Sequence, residues 1–155
     1  MIAFHHVSVM PEETLDALSI RPDGVYVDCT LGGAGHAGRI ARQLSAKGRL
    51  IGIDQDEIAI AAARERLADA VCAVTLVRDN FRRLRDILAR EGVSSVDGIL
   101  FDLGISSPQI DTAERGFSYM QDAPLDMRMD RRAARSARTV VNAYTQEELT
   151  EIFYA

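Results

Sequence analysis

Three aspartates and a run of glycines are the first candidates for chemistry in this sequence. Asp28 stands just ahead of Leu31-Gly32-Gly33-Ala34-Gly35-His36-Ala37-Gly38, Asp54 closes Arg49-Leu50-Ile51-Gly52-Ile53-Asp54, and Asp102 closes Val96-Asp97-Gly98-Ile99-Leu100-Phe101-Asp102. Asn80 lies just past a further apolar run, 72–77. A carboxylate accepts hydrogen bonds from hydroxyl or amino groups and can take up a proton. Glycines let a backbone approach a ligand closely and turn straight into a helix. Each aspartate alone reads equally well as a loop or cap residue. Their joint placement, each after a short apolar run, points to one ligand crevice.

The loop has two readings. Gly33-x-Gly35-x-x-Gly38 matches the dinucleotide fingerprint by letter. The same backbone geometry serves S-adenosylmethionine, which has no pyrophosphate. Asp54 follows Asp28 by 26 residues, where a carboxylate can accept from both hydroxyls of an adenosine ribose. A helix cap is its alternative. His36 reads as a ligand-facing side chain or as a surface histidine at a helix start. Phe81 can stack on an adenine or fill a core; His5 and His6 suggest no role. Arg128, Arg131, Arg132, Arg135 and Arg138 have only Asp130 among them. They read as a solvated helix face or as a patch contacting phosphate.

The elements that must position these groups follow from composition and periodicity. The chain has 155 residues, 47% hydrophobic and 26% charged, which is one globular domain's worth of core and excludes disorder and collagen. Its net charge of −5 excludes a wholly basic nucleic-acid binder. Of the 18 basic residues, Lys47 is the single lysine. Cys29 and Cys72 sit in apolar runs as buried thiols, and nothing has metal-ligand spacing. No stretch is long enough to span a membrane and the first residues do not read as a secretory signal, so a cytoplasmic setting is expected.

Pro11 followed by Glu12 and Glu13 opens a helix with Leu15 and Leu18 inward. Residues 25–30 read as a strand, then a helix with Ile40, Ala41 and Leu44 inward and Gly48 at its C-cap. Strands follow at 49–54, 72–77 and 96–102. Between them lie a helix holding Ile58, Ala61, Ala62 and Leu67, and one capped by Asn80 that carries Leu84, Ile87 and Leu88 and stops near Gly92. Short strands apolar on both faces, joined by helices, predict an α/β fold with a doubly wound, mainly parallel sheet.

After Asp102 the character changes: residues 104–145 are rich in Ser, Pro, Asp and Arg. Thr145 with Glu148 reads as a capping box opening a helix with Leu149, Ile152 and Phe153 on one face. The expected division is a Rossmann-like core over 1–104 and the start of an inserted region over 105–155. Four strands would leave an open sheet edge, so the chain reads as the front part of a larger domain, with a homodimer as one way to cover the edge.

Five strings then carry a resemblance: DCTLGGAGH (28–36), IDQD (53–56), DLGISSPQID (102–111), RGFS (115–118) and DAPLDMRMD (122–130). Together they resemble the RsmH (MraW) family, rRNA cytosine-N4 methyltransferases of the small ribosomal subunit. The opening HHVSVMPEE is similar to the family's, departing at Met10 and Pro11, where leucines are usual. The resemblance covers essentially the whole chain. It implies a class I methyltransferase fold, here cut after the fourth strand, with a helical insert, and a family chain that continues beyond this point. It implies S-adenosyl-L-methionine as cofactor, contacted by Ala34, Gly35, His36, Asp54, Phe81, Asp102 and Gln109. It implies small-subunit rRNA, or the small subunit itself, as partner.

Asp102 has two open roles. As a catalytic group it would accept an N–H hydrogen bond from the cytosine amino group; otherwise it contacts the cofactor only. Two other functions compete: a cofactor- or RNA-binding piece without turnover, and a nicotinamide dehydrogenase resting on the glycine letters.

Overall fold

Pro11 supplies the first residue of α1 (Pro11–Leu18), where its missing N–H costs nothing and Glu12 and Glu13 face the positive helix end. In this computed structural model, which describes residues 8–154, the chain then alternates strand and helix. β1 (Val25–Asp28), α2 (Gly35–Gln43), β2 (Arg49–Asp54), α3 (Glu57–Arg66) and β3 (Ala73–Arg78) come first. A 3₁₀ turn (Phe81–Arg83), α4 (Leu84–Arg90) and β4 (Gly98–Leu100) follow. The order across the sheet is β3-β2-β1-β4, all parallel. Because β4 lies on the far side of β1 from β2, the strand order reverses beside β1. In such sheets the ligand crevice lies outside the carboxyl ends of the strands at that point.

The central strands β1 and β2 are buried on both faces, so their side chains split by parity into two cores. Tyr26, Leu31 and Leu50 pack with Leu15 of α1, Ile40 of α2 and Ile60 and Ala63 of α3. Val27, Ile51 and Ile53 pack with Ile87 of α4. The doubly wound expectation stands.

Three local expectations need correction. β4 pairs over three residues, not 96–102. Its flanks are held otherwise: Asp97 N–H donates to the Val25 carbonyl at 2.7 Å, and the Asp97 carboxylate accepts from Val25 N–H at 2.7 Å. Gly48 is not a helix cap, since α2 ends at Gln43 and Leu44 is already extended. It is small for space: a Cβ there would stand 2.6 Å from the Pro22 carbonyl oxygen. The inward face of α3 is Ala59, Ile60 and Ala63, continued by Leu67, rather than Ile58, Ala61 and Ala62. A run of small apolar residues offers several faces, and the neighbouring sheet selects one.

Residues 8–104 form one compact unit and 105–154 a second. The second has α5 (Ser107–Asp111), a 3₁₀ turn (Ala113–Arg115), α6 (Ala137–Ala143) and α7 (Gln146–Tyr154). The Thr145 capping box is present: Thr145 N–H donates to Glu148 at 2.8 Å and Glu148 N–H to the Thr145 hydroxyl at 3.2 Å. Its other ties are polar. The buried Arg115 guanidinium donates to the carbonyls of Arg128 (3.0 Å) and Met129 (3.1 Å). Gly116 takes a left-handed φ of 70°, and a Cβ there would stand 2.7 Å from Asp126 N. His5 and His6 lie outside the described residues.

Candidate functional site

Asp28, ending β1, is 1% exposed. One of its carboxylate oxygens accepts from Thr30 N–H at 3.1 Å, and the Ala37 backbone N–H in the first turn of α2 also donates to the carboxylate. The carboxyl thus braces the glycine loop from beneath. Burial pushes its pKa up to about 7, and the charges of Asp54 and Asp102 push the same way. It cannot meet a ligand directly, so the idea of three ligand-facing carboxylates reduces to two.

The loop itself rises over this brace. Gly32 has φ 47° and Ala34 has φ 56°, left-handed backbone that Ala34 holds at a cost, fixed by its N–H to the Leu31 carbonyl at 2.7 Å. Ser8 packs directly on Gly35, in the space a side chain there would need. From α3, Arg66 donates to the Gly33 carbonyl at 2.9 Å.

Asp54, ending β2, faces this loop. One oxygen accepts from Gly32 N–H at 2.8 Å and the other from Asp56 N–H at 2.9 Å. The Gln55 backbone amide also acts on the carboxylate. A carboxylate has about four acceptor positions, so three amides still leave one. Burial holds its pKa above the usual carboxylate range, against the pull of those amides. The cap of α3 is not Asp54 but Asp56, which accepts from Ile58 N–H at 3.0 Å. The cap alternative therefore falls on the wrong aspartate, and Asp54 is left aligned between loop and turn.

Across the reversal point, Asp102 sits two residues past β4, its side chain 40% exposed. His36, in the first turn of α2, is buried, with Nε2 3.9 Å from Asp102 Oδ2. Phe81 follows β3 and Asn80, which caps it through Arg82 N–H at 2.9 Å. Its ring meets Phe101 edge-on at 5.5 Å and packs against the α4-side core. Gln109 belongs to the second unit, where it is buried and its Oε1 accepts Ser106 N–H at 3.1 Å in the capping box of α5.

The arginines are not a helix face. Arg128 grips Asp126 through Nε and a terminal nitrogen, both at 2.8 Å, and pulls that carboxyl down to about 2. Arg132 holds Asp130 at 2.8 Å and Arg135 reaches the Tyr144 hydroxyl at 2.7 Å. Much of the run's charge is spent within the segment. Thr30 escaped the sequence reading altogether: its hydroxyl accepts Asp102 N–H at 2.7 Å. Its one signal was a hydroxyl two places past a strand-ending aspartate.

Among the described residues, no helix is long and apolar enough to cross a membrane. The model of the MraW methylase family matches residues 3–155. A ribosomal RNA small subunit methyltransferase H of Brevibacillus brevis is 56% identical over 153 residues, covering 99% of this chain and 49% of that protein. The protein of that name from Clostridioides difficile is 57% identical over 149 residues, covering 96% and 48%. The chain thus spans about half the length of the curated relatives it matches. A solved structure described as an rRNA-methylase of Clostridium thermocellum shares the fold with a TM-score of 0.56 at 22% identity, over 65% of this chain and 54% of that one. By a family model that matches almost its whole length and relatives more than half identical to it, this chain belongs to the MraW methylase family.

Proposed function

We propose that this chain carries the S-adenosyl-L-methionine site of an enzyme that methylates the N4 amino group of a cytosine in small-subunit rRNA. The observation that carries the reading is Asp54: a partly exposed carboxylate held by backbone amides of Gly32 and Asp56, with acceptor capacity left over, beside a glycine loop. That donor–acceptor set fits a ribose diol. The loop at Ala34, Gly35 and His36 would meet the amino-acid end of the cofactor, and Phe81 its adenine. Asp102 would flank the transferred group. When bound, the cofactor supplies an electrophilic methyl group on a sulfonium.

The residues mainly align and accept. A cytosine amino nitrogen is a poor nucleophile because its lone pair is delocalised into the ring. A carboxylate accepting one of its N–H groups favours a pyramidal nitrogen and takes up the proton as the new bond forms. Asp102, exposed two residues past β4, would be the acceptor in that step. The base must leave any stack to reach it, so the substrate is an extruded or single-stranded cytosine. The cytoplasm, where ribosomal subunits are built, is the matching compartment.

A second reading is a chain that binds cofactor or RNA without turnover. The experiment is incubation of the chain with methyl-labelled S-adenosylmethionine and small-subunit rRNA, beside thermal shift with S-adenosylhomocysteine and with NAD. Label on cytosine supports the first reading. A shift with S-adenosylhomocysteine but no label supports the second. A shift with NAD alone would overturn both.

A further inference from the structure

The two walls of the crevice are joined by one side chain. β1 and β4 pair through Asp28 and Leu100, and Cys29 N–H still donates to the Leu100 carbonyl at 2.9 Å. Beyond that point the paired register ends. Two residues on from Leu100, the N–H of Asp102 meets the Thr30 hydroxyl at 2.7 Å instead of backbone. Thr30 is itself fixed, because its own N–H donates to the buried Asp28 at 3.1 Å. The path runs from a buried carboxylate, through Thr30, to the backbone of Asp102, whose carboxylate lies 3.9 Å from His36 Nε2.

We propose that Thr30 is a positioning residue: its hydroxyl, bridging the ends of β1 and β4, sets the Asp102 carboxylate over the crevice. This rests on the reading of Asp102 as a cofactor- or substrate-facing group. A β-branched residue suits the end of a strand by shape, so shape alone would be served by valine. Valine lacks the acceptor. Serine keeps it and loses only a methyl.

Two readouts on this chain separate the proposal from the reading beneath it. The first is amide hydrogen exchange without ligand. Asp102 N–H is expected to be protected in the wild type and in Thr30→Ser, and to exchange at least about fivefold faster in Thr30→Val, the loss of one hydrogen bond. Unchanged protection in Thr30→Val would overturn the proposal whatever binds. The second is calorimetric titration with S-adenosylhomocysteine of the wild type, Thr30→Val, Thr30→Ser, Asp102→Ala and Thr30→Val/Asp102→Ala. Thr30→Val is expected to weaken binding about fivefold, Thr30→Ser to restore it, and Thr30→Val to add nothing once Asp102 is alanine. An equal loss in both backgrounds would mean Thr30 acts on something other than Asp102. If Asp102→Ala binds like the wild type while the exchange result holds, Thr30 still positions Asp102 and the cofactor role of Asp102 fails.

Discussion

The two units of this chain are held by different forces. Residues 8–104 are built on a sheet with an aliphatic core on each face, where Ile40, Leu50, Ile51, Ile53 and Ile87 are wholly buried. Residues 105–154 bury Pro108, Gln109 and Arg115 and leave Tyr119, Phe153 and Tyr154 mostly exposed. The first unit is stabilised by removing apolar surface from water. The second is held by directed bonds, such as those of Arg115 and Arg128. A frame fixed by burial can hold Asp54 and the loop in register without a ligand. A segment fixed by polar ties depends on each tie.

The largest expected effect comes from the core. Ile87→Ala should lower unfolding free energy by about 3 kcal/mol through lost burial and a cavity; urea unfolding followed by circular dichroism checks it. A loss below about 1 kcal/mol would mean the α4-side core is not the frame described. In the second unit, Gly116→Ala should cost about 2 kcal/mol of local stability, combining a strained left-handed φ with a clash against Asp126. Amide exchange of residues 115–138 reads this, with the sheet amides unchanged.

A pH series sharpens the comparison. Asp28 has a folded pKa of about 7 against 3.8 for the free group. The folded state therefore holds a proton that the unfolded state releases, and stability falls as pH rises through that window. From pH 5 to pH 8 the chain should lose about 2.5 kcal/mol, and Asp28→Asn should flatten that slope. Asp126, at about 2, works the other way, but its window lies below pH 4. A wild-type stability that rises over pH 5–8 would contradict the buried brace. The smallest effect is expected at the exposed face of α7: Phe153→Ser should change stability by less than about 0.5 kcal/mol, as thermal melting would show.

The same contrast explains what was legible in the sequence. Two-sided apolar runs at 25–30 and 49–54 announced buried parallel strands, because nothing else hides both faces of so short a segment; the first of them ends two residues earlier, at Asp28. That Asp54 ends a strand and Asp102 follows one was legible from such runs. The inward face of α3 was not, since alanines mark no face until a sheet chooses one. Nor was the burial of Asp28, because the sequence does not say which strand-end carboxylate will lie under the loop. The 105–154 unit was legible in its strings and in the Thr145–Glu148 cap. Its arginines misled only as a helix face: Arg131, Arg132, Arg135 and Arg138 are solvated as expected, but only Arg138 lies in a helix, and Asp126 and Asp130 hold Arg128 and Arg132. Thr30 stayed hidden because its bond spans 72 residues.

The central claim is that residues 8–104 present a working cofactor site organised around Asp54. The direct test is calorimetric titration of this chain with S-adenosylmethionine, beside the same chain carrying Asp54→Ala. The account expects saturable one-to-one binding in the first and at least about tenfold weaker binding in the second, the loss of charge-assisted bonds to a diol. A folded chain that binds nothing, or an Asp54→Ala chain that binds as tightly as the wild type, would contradict it.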